Sequence, residues 1–457
     1  SLDAMANGGI RDQLGGGFHR YSTTADWLVP HFEQMLYDNA QLARVYGHAY
    51  AATGDTRYLD VASATLDYLV RELRTDDGGF AASQDADTEG EEGGTFVWTL
   101  EEIRDALGDD AELFAAAYGV RPGGNWEGRS ILSRVRDDAA LASIAGIAAE
   151  EVAARLAAAR ARLLERRRQR AQPARDDKVL AGWNGLAVAA FADVGRIVRA
   201  ALPGDRRADR YIAAARDAAG LVVDRLLVDG RLRRSWKDGR TTADGVLEDH
   251  ANLADGLLAL YEAAFEERWF VAARDLADTI LERFSDPTGG FFDTAADAET
   301  LVVRPKDVQD NATPSGNAMA TTVLLRLAAL AGEGRYRDAA ERALATVGDL
   351  PGRHPTGFAQ WLVALDLAHG VLAEVAIVGA PDEPGTAELA AATVLPYRPA
   401  LVVAGSPDPE RSVVPLLRDR TRRDGRPTAY VCRGFACRLP VTDAPALRRE
   451  LAAVTGA

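Results

Sequence analysis

The segment from His19 to Asp38 holds the densest set of side chains in this chain that could move protons. Its candidates are His19, Arg20, Trp27, His31, Glu33 and Asp38. A histidine beside a carboxylate is oriented and kept basic, which suits proton abstraction or donation near neutral pH. We therefore predict that His31 and Glu33 are catalytic and that the other four residues contact substrate.

A second group of carboxylates lies in the acidic, glycine-rich loop from Gln84 to Gly94. Acidic residues at the first, third and fifth places, with Gly at the sixth, imitate the start of an EF-hand calcium loop. The twelfth place, which requires a bidentate Glu, is Phe96, so the calcium motif fails and we predict no metal. Paired carboxylates also serve glycoside hydrolysis. We predict that Asp87 is catalytic and that Asp85 contacts substrate.

Further candidates stand where helices or turns are predicted to begin. Asp, Asn and Ser at a helix start are N-caps more often than ligands, and Phe after Gly-Gly more often fills a core. The joint gathering of polar, aromatic and titratable residues in these loops nevertheless favours a site. We predict catalytic roles for Asp249 and His250. The predicted substrate contacts are Phe80, Trp183, Asn184, Glu248 and Ser315.

A helical repeat sets the architecture that must position these residues. Each repeat joins two helices with small and apolar residues at three-to-four spacing, separated by a short break. Such hairpins are predicted from Asp38 to Arg71, Trp183 to Arg225, Glu248 to Arg283 and Ser315 to Val347. About twelve helices precede residue 373, the number that closes an (α/α)6 toroid. Inner-helix starts of such a ring meet at one face, so we predict one shared mouth.

The hydrophobic pattern changes after the last predicted helix of the ring. The segments AEVAIVGA, ALVVAG and TAYVCR are apolar and β-branched, which is typical of buried strands. We therefore predict two domains: a mainly α toroid over residues 1–372 and a small C-terminal α/β appendage over residues 373–457. The first residues resemble the end of a helix already under way, so we expect a truncated N-terminal helix and a longer parent protein.

Composition limits the expected compartment and partners. The 457 residues carry 68 acidic and 53 basic side chains, a formal charge of −15, which disfavours nucleic acid and anionic membranes. No apolar run reaches the roughly 20 residues of a membrane span. Two cysteines, Cys432 and Cys437, exclude a disulfide framework, and we predict that both are small core residues of a cytoplasmic protein. No phosphate-binding or dinucleotide-binding fingerprint occurs, and we predict no cofactor.

Six long motifs occur in order through essentially the whole chain. They are GGGFHRYSTTADWLVPHFEQMLYDNAQLARVY, SQDADTEGEEGGTFVWT, RDDKVLAGWNGL, LEDHANLADGLLALYEA, DNATPSGNAMA and YVCRGFACRLPVTD. In them the chain resembles the spermatogenesis-associated protein 20 family. The resemblance implies a toroid similar to six-hairpin glycosidases and N-acylglucosamine 2-epimerases. It also implies a preceding thioredoxin-like domain, which does not occur in this sequence and is the expected partner in cis.

Carried over position by position, the resemblance implies that the mouth is lined by motif residues. These are His19, Arg20, His31, Glu33, Asp38, Asp85, Asp87, Trp183, Asn184, Glu248, Asp249 and Ser315. The leading hypothesis is a toroid that binds, and transforms, a carbohydrate or similar polyhydroxylated small molecule. The alternative is a non-catalytic binding or scaffold module that serves the thioredoxin-like domain.

Two chemical routes follow from the leading hypothesis. An epimerase-like route would use His31 and His250 as acid and base on opposite sides of a ring carbon. A hydrolase-like route would use Asp87 and Asp249 as the carboxylate pair. In either route, aromatic side chains would stack on a sugar face. The candidates for stacking are Trp27, Phe80 and Trp183.

Overall fold

The computed structural model describes residues 1–299 and 302–455 and is mainly α-helical. In chain order its helices are α1 (Leu2–Asn7), α2 (Leu36–Thr53), α3 (Thr56–Tyr68), α4 (Leu100–Leu107), α5 (Ala111–Tyr118), α6 (Asp138–Ala145), α7 (Ala149–Arg168), α8 (Ala181–Ala201), α9 (Arg206–Leu221), α10 (Leu247–Ala264), α11 (Glu267–Thr279), α12 (Gly316–Ala331), α13 (Gly334–Val347), α14 (Leu350–Arg353), α15 (Ala359–His369), α16 (Pro384–Val394) and α17 (Ala444–Thr455). The predicted fold class, mainly α with helical hairpins and a small α/β region near the C-terminal end, is confirmed.

Most strands are short and lie between the helices. They are β1 (Tyr21–Ser22), β2 (Pro30–His31), β3 (Gln34–Met35), β4 (Ser83–Gln84), β5 (Asp87–Thr88), β6 (Glu91–Glu92), β7 (Arg175–Asp176), β8 (Val179–Leu180), β9 (Leu227–Val228), β10 (Arg231–Lys237), β11 (Arg240–Asp244), β12 (Ala373–Val378), β13 (Leu401–Ser406), β14 (Thr428–Arg433) and β15 (Ala436–Cys437).

The chain divides into two compact units that interleave along the sequence. Unit 1 comprises Ser1–Leu42, Asp60–Arg74 and Ala81–Asp177. Unit 2 comprises Ala43–Leu59, Thr75–Phe80 and the chain from Lys178 onward. The predicted boundary at residue 373 therefore lies inside unit 2, and the division into two domains at that position stays a prediction.

Unit 1 combines a helical core with small antiparallel sheets. Helices α4, α5 and α7 bury an apolar cluster around Trp98, Phe114 and Leu163. Strand β4 pairs with β3 on one side and β7 on the other, while β1 pairs with β2 and β5 with β6. The bidentate pair of Arg167 with Asp12, at 2.8 and 2.6 Å, ties α7 to the loop after α1. These elements hold the loops that carry the first two groups of candidates.

Unit 2 contains the helical hairpins α8–α9, α10–α11 and α12–α13. Helices α8, α10 and α12 are buried along nearly their whole length, because most of their residues are small or apolar and several of their polar side chains are buried as well. Helices α9, α11 and α13 bury one apolar stripe each and expose the other side. The predicted helix starts at Trp183, Glu248 and Ser315 agree with the observed first turns or N-cap of these helices.

The α/β region at the C-terminal end of unit 2 is a four-stranded sheet in the order β13–β12–β14–β15. Strands β12 and β13 are parallel, and α16 and α17 pack on the sheet. The prediction that Cys432 and Cys437 are two separate core residues is wrong, since they form a disulfide between β14 and β15. The two cysteines are five residues apart in the sequence, and the short turn between β14 and β15 places them directly opposite each other in the strand register.

Three Gly-Gly-Phe turns share one construction. The first glycine of each turn has a φ of 89° to 110°, in the left-handed region that favours glycine. The phenylalanine that follows is almost fully buried and fills the core. An asparagine of the next inner helix accepts a hydrogen bond from the phenylalanine N–H and donates one to its carbonyl oxygen. The pairs are Phe18 with Asn39, Phe80 with Asn184, and Phe291 with Asn317.

Candidate functional site

The first candidate site belongs to unit 1 and is built on the hairpin of β1 and β2. The strand register sets Tyr21 opposite His31, and their rings stack with centroids 5.0 Å apart. Arg20 precedes β1 and donates to Glu33 Oε2 at 2.9 Å. We call the group of Arg20, Tyr21, His31, Glu33, Asp38 and Glu92 the His31 cluster. It brings together four of the predicted site residues.

His31 is held between two carboxylates. Its Nδ1 lies 2.7 Å from Glu92 Oε1, and its Nε2 lies 3.7 Å from Glu33 Oε2. Glu92 comes from the acidic loop, where β5 and β6 set Asp87 opposite Glu92 in the strand register. Because a carboxylate can only accept a hydrogen bond, the imidazole carries its proton on Nδ1 and donates it to Glu92. Nε2 is then able to act as a base. The acidic loop therefore serves His31 through Glu92.

Asp38 stands in the first turn of α2 and has a perturbed carboxyl group. Its Oδ2 atom is buried and has no hydrogen-bond partner among the described residues. Burial raises the pKa of Asp38 to about 7; the Glu33 charge adds to the shift and Arg20 opposes it. A carboxyl group with a pKa near 7 exists in both forms at neutral pH, which is the property of an effective general acid or base.

The structure gives His19 a packing role instead of the predicted substrate contact. Its Nδ1 donates to the carbonyl oxygen of Phe32 at 2.8 Å, and its ring meets the edges of Phe32 and Phe96. Burial lowers the pKa of His19 to about 4, so the imidazole stays neutral. Only 2% of its surface is exposed, which leaves no area for a ligand.

The remaining unit 1 candidates lie on the surface or in a turn. Asp85 and Asp87 are exposed, and Asp85 Oδ1 accepts from the N–H of Ala86 at 2.7 Å. Trp27 is half-buried in a turn with a φ of 64°. None of the contacts just described joins Asp85, Asp87 or Trp27 to His31. The predicted roles of these three residues stay predictions.

The second candidate site belongs to unit 2 and is centred on Arg234 in β10. Its guanidinium donates to Glu248 Oε1 at 2.8 Å and to Asp249 Oδ2 at 2.9 Å. Asp249 also accepts from the backbone N–H groups of Val246 and Gly182, so it works as a helix cap. Burial raises the pKa of Asp249 to about 6, with Arg234 opposing the shift. Arg234, Glu248 and Asp249 form the Asp249 cluster.

Other unit 2 candidates have structural partners. His250 Nδ1 donates to the Val246 carbonyl oxygen at 2.9 Å, its ring packs on Phe284, and burial lowers its pKa to about 4. Ser315 caps α12 by accepting from the N–H of Ala318.

Two further unit 2 candidates, Phe80 and Asn184, have no exposed surface, so substrate contact at these positions is wrong for this structure. Their pairing in the Gly-Gly-Phe turn uses the whole asparagine amide. Trp183 is half-buried in the first turn of α8, and its substrate contact stays a prediction.

The predicted pairs for catalysis fall in different units. His31 and Asp87 belong to unit 1, whereas His250 and Asp249 belong to unit 2. The shared mouth and the two catalytic pairs therefore stay predictions. The residues of the two clusters that the sequence did not indicate are Tyr21, Glu92 and Arg234. A signal for Arg234 was available, because Asp238-Gly239 is a hairpin turn between alternating strands.

The described residues include neither a cluster suited to a metal ion nor a membrane-spanning helix. Within residues 1–299 and 302–455, no group of three or more His, Cys, Asp or Glu side chains is arranged to hold a metal ion. In the same part of the chain, no helix is both long and apolar enough to cross a membrane.

The protein is thus a mainly α protein of helical hairpins with a C-terminal α/β region, and it carries two polar clusters. The chain is similar to spermatogenesis-associated protein 20, which confirms the resemblance predicted from its motifs. It is 33% identical to spermatogenesis-associated protein 20 of Homo sapiens and of Mus musculus, over 99% of its own length. It spans 62% and 61% of those two proteins. No protein-family model matches the chain.

Solved structures show only distant similarity. Cellobiose 2-epimerase from Bacillus thermoamylovorans B4167 is 10% identical, with 79% of this chain and 68% of that chain covered and a TM-score of 0.39. A D-mannose isomerase is 14% identical, with 75% of this chain and 82% of that chain covered and a TM-score of 0.37. At these TM-scores, neither similarity supports an argument about function.

Proposed function

We propose that the His31 cluster binds a carbohydrate or similar polyhydroxylated small molecule and carries out acid–base chemistry on it. The observation that carries the proposal is the Asp38 carboxyl group. Its buried Oδ2 has no hydrogen-bond partner in the part of the chain that the structure describes, and its pKa of about 7 lets the carboxyl group donate or accept a proton at neutral pH. A carboxyl needed only for folding would be expected to have its hydrogen-bonding capacity satisfied.

The neighbouring side chains fit a polyhydroxylated ligand. Glu33 and Arg20 offer an acceptor and a donor that can hold neighbouring hydroxyl groups. Tyr21 is half exposed and lies parallel to the His31 ring, which supplies a flat face for the C–H side of a sugar ring. Together these groups supply both the polar and the aromatic contacts of a carbohydrate site.

The proposed chemistry assigns different tasks to the two titratable groups. Glu92 fixes the orientation and tautomer of His31, so that Nε2 removes a proton from the ligand. Asp38 returns a proton to the ligand or to a leaving oxygen. An epimerase and a glycoside hydrolase both need one acid and one base. Analysis of the product therefore distinguishes the two reaction types.

The test uses calorimetry and product analysis on the full chain. A panel of mono- and disaccharides is titrated, and those that bind are incubated in D2O. Deuterium entering a ring carbon indicates epimerisation, whereas new reducing ends indicate hydrolysis. Asp38→Asn should lower turnover by about 10²-fold or more, the usual contribution of a general acid or base. Asp105→Asn, the same change at an exposed position of α4, should leave turnover unchanged.

Two outcomes would overturn the proposal in different ways. If no saccharide binds, the scaffold alternative, in which the chain serves a thioredoxin-like domain, is favoured. If a saccharide is transformed but Asp38→Asn and His31→Ala keep full turnover, the reaction belongs to other residues, and the Asp249 cluster becomes the next candidate.

A further inference from the structure

The Cys432–Cys437 disulfide joins two residues of unequal exposure. Cys432 lies in β14 with only 1% of its surface exposed, whereas Cys437 is partly exposed in the edge strand β15. The residues on either side of Cys437, Ala436 and Arg438, are exposed as well. Access decides which sulfur of a disulfide is attacked in thiol–disulfide exchange, and the other sulfur is the leaving group. A thiol in solution therefore reaches this bond from the Cys437 side.

The turn between the two cysteines is held by contacts other than the disulfide. The N–H groups of Gly434 and Phe435 donate to Glu374 Oε1 at 3.0 Å and Oε2 at 2.8 Å. Glu374 is buried in β12, so these bonds fasten the turn to a central strand of the sheet. The Phe435 ring lies against Gly332 at the end of α12, where an added Cβ would come within 2.8 Å of the ring. None of these contacts depends on the sulfur–sulfur bond.

The chain after Cys437 is also paired through its backbone. The Arg438 N–H donates to the Val431 carbonyl oxygen at 2.9 Å. Ala429 and Val441 exchange two backbone hydrogen bonds of 2.8 and 2.9 Å. A disulfide between residues only 5 apart in the sequence closes a short loop, which restricts the unfolded chain less than a long loop does. The hairpin therefore has little need of the bond, and we expect the two sulfur atoms to stay close when it is broken.

We propose that the Cys432–Cys437 pair is a thiol–disulfide exchange site, which reacts with dithiols through the Cys437 sulfur while the protein stays folded. A disulfide that serves only the fold would instead be protected from thiols until the chain unfolds. The proposal uses no residue of the His31 cluster or of the Asp249 cluster, so it does not depend on the proposed function.

The exchange proceeds in two steps. A thiolate of the dithiol forms a bond to Cys437 Sγ, and the electron pair of the broken bond goes to Cys432 Sγ, which takes up a proton. The second thiolate of the dithiol then attacks the dithiol's own sulfur in this mixed disulfide and releases Cys437 as a thiolate, which is protonated in turn. The cysteine pair gains two electrons and two protons, and the dithiol becomes a disulfide.

The first arm of the experiment treats the wild-type full chain with dithiothreitol at pH 8 without denaturant. Free thiols are counted by alkylation and mass spectrometry, while far-UV circular dichroism follows the helices. We expect both cysteines to be alkylated at a rate proportional to the dithiothreitol concentration, with an unchanged helical signal. Oxidised glutathione should then close the pair again. If reduction requires enough denaturant to unfold the helices, or if oxidised glutathione does not rejoin the thiols, the proposal is wrong.

The second arm identifies the reacting sulfur with two matched variants. Cys432→Ser retains the partly exposed Cys437, and Cys437→Ser retains the buried Cys432. We expect the thiol in Cys432→Ser to form a mixed disulfide with oxidised glutathione at least tenfold faster than the thiol in Cys437→Ser, because access limits the reaction. Equal rates, or a faster reaction of Cys437→Ser, would contradict the assignment of Cys437 as the attacked sulfur. The wild-type arm decides whether the pair exchanges at all, even if a variant does not fold.

Discussion

Buried charges have opposite fates in two regions of this molecule. In unit 2, four inner helices are joined by the inner-helix ion network, which consists of Arg44, Asp193, Arg196, Asp255, Glu262 and Arg326. Each member of this network has an oppositely charged partner. In the His31 cluster of unit 1, by contrast, Asp38 keeps an oxygen with no hydrogen-bond partner among the described residues.

Two aspartates show what the difference teaches. Burial would raise the pKa of Asp193, but the charge of Arg44 and the contact with His48 hold it well below its usual range. Burial does raise the pKa of Asp38, to about 7. The Arg20 guanidinium, which also pairs with Glu33, does not offset this effect of burial. The first arrangement stabilises a fold, whereas the second holds a proton that can be exchanged near neutral pH.

The largest expected effect comes from breaking the inner-helix ion network. Asp255 accepts from Arg44 and from Arg326, both at 2.7 Å, and is 2% exposed. Asp255→Ala should lower the free energy of unfolding by about 3–5 kcal/mol, because two buried guanidinium groups lose a partner. Denaturant unfolding at pH 7 measures the change.

A matched control for Asp255 is available in the same unit. Asp209 pairs with Arg199 on the surface of α9, where its side chain is 83% exposed. Asp209→Ala should change the free energy of unfolding by less than about 1 kcal/mol. Equal losses in the two variants would show that the ion network contributes no more than a surface pair.

The next effect concerns the pH dependence of stability. The folded protein holds the Asp38 proton more tightly than the unfolded chain does. Wild type should therefore lose stability relative to Asp38→Asn as the pH rises from about 4 through about 7, by roughly 3 kcal/mol.

Asp193 should behave in the opposite sense, because its folded-state pKa is lowered. Its contribution is present above the unfolded pKa near 4 and is lost as the pH falls through the folded value. At strongly acid pH the wild type and Asp193→Asn should therefore have similar free energies of unfolding. At neutral pH the wild type should be the more stable of the two. If the stability difference between wild type and variant changed with pH in the same direction for both aspartates, the two regions would not differ in the way described.

A smaller effect is expected from a pairing that involves no charge. Asn184 uses its amide on the backbone N–H and carbonyl oxygen of Phe80. Asn184→Ala should cost about 2 kcal/mol, since two buried backbone groups lose their partner. Asn317→Ala, in the equivalent pairing with Phe291, should cost a similar amount. A loss in only one of the two would show that the repeated turns differ in function.

The smallest effect on stability is expected at Glu92. The Glu92 side chain is 42% exposed and pairs with the half-buried His31. Glu92→Gln should change the free energy of unfolding by less than about 1 kcal/mol, as for other exposed pairs. The same variant should weaken turnover, because His31 loses the carboxylate that orients it. A large loss of stability with unchanged turnover would make Glu92 a structural residue.

The sequence predicted local features well. The first turns of α8 and α10, the N-cap of α12 and the Gly-Gly-Phe turns follow from residues adjacent in the chain, whose backbone preferences act locally. The sequence also located Arg20, His31, Glu33 and Asp38 in one segment. It also indicated the similarity to spermatogenesis-associated protein 20, because the motifs are long and stand in order.

Pairings between distant segments could not be predicted in the same way. Glu92 meets His31 across 61 residues, and the sequence reasoning favoured Asp87 in the same loop. The β5–β6 register decides between them, and no local signal specifies that register. His250 was predicted as catalytic because it stands beside two carboxylates. Its burial against Phe284 depends on packing that composition does not show.

The titration of Asp38 tests its role in proton transfer most directly. The measurement is the ¹³C chemical shift of its side-chain carboxyl carbon followed by NMR between pH 3 and pH 9, with Asp38→Asn to assign the signal. We expect a midpoint near pH 7, because Asp38 is buried. A midpoint near pH 4, which is ordinary for aspartate, would show that Asp38 is fully ionised at neutral pH and would contradict its proposed role in proton transfer.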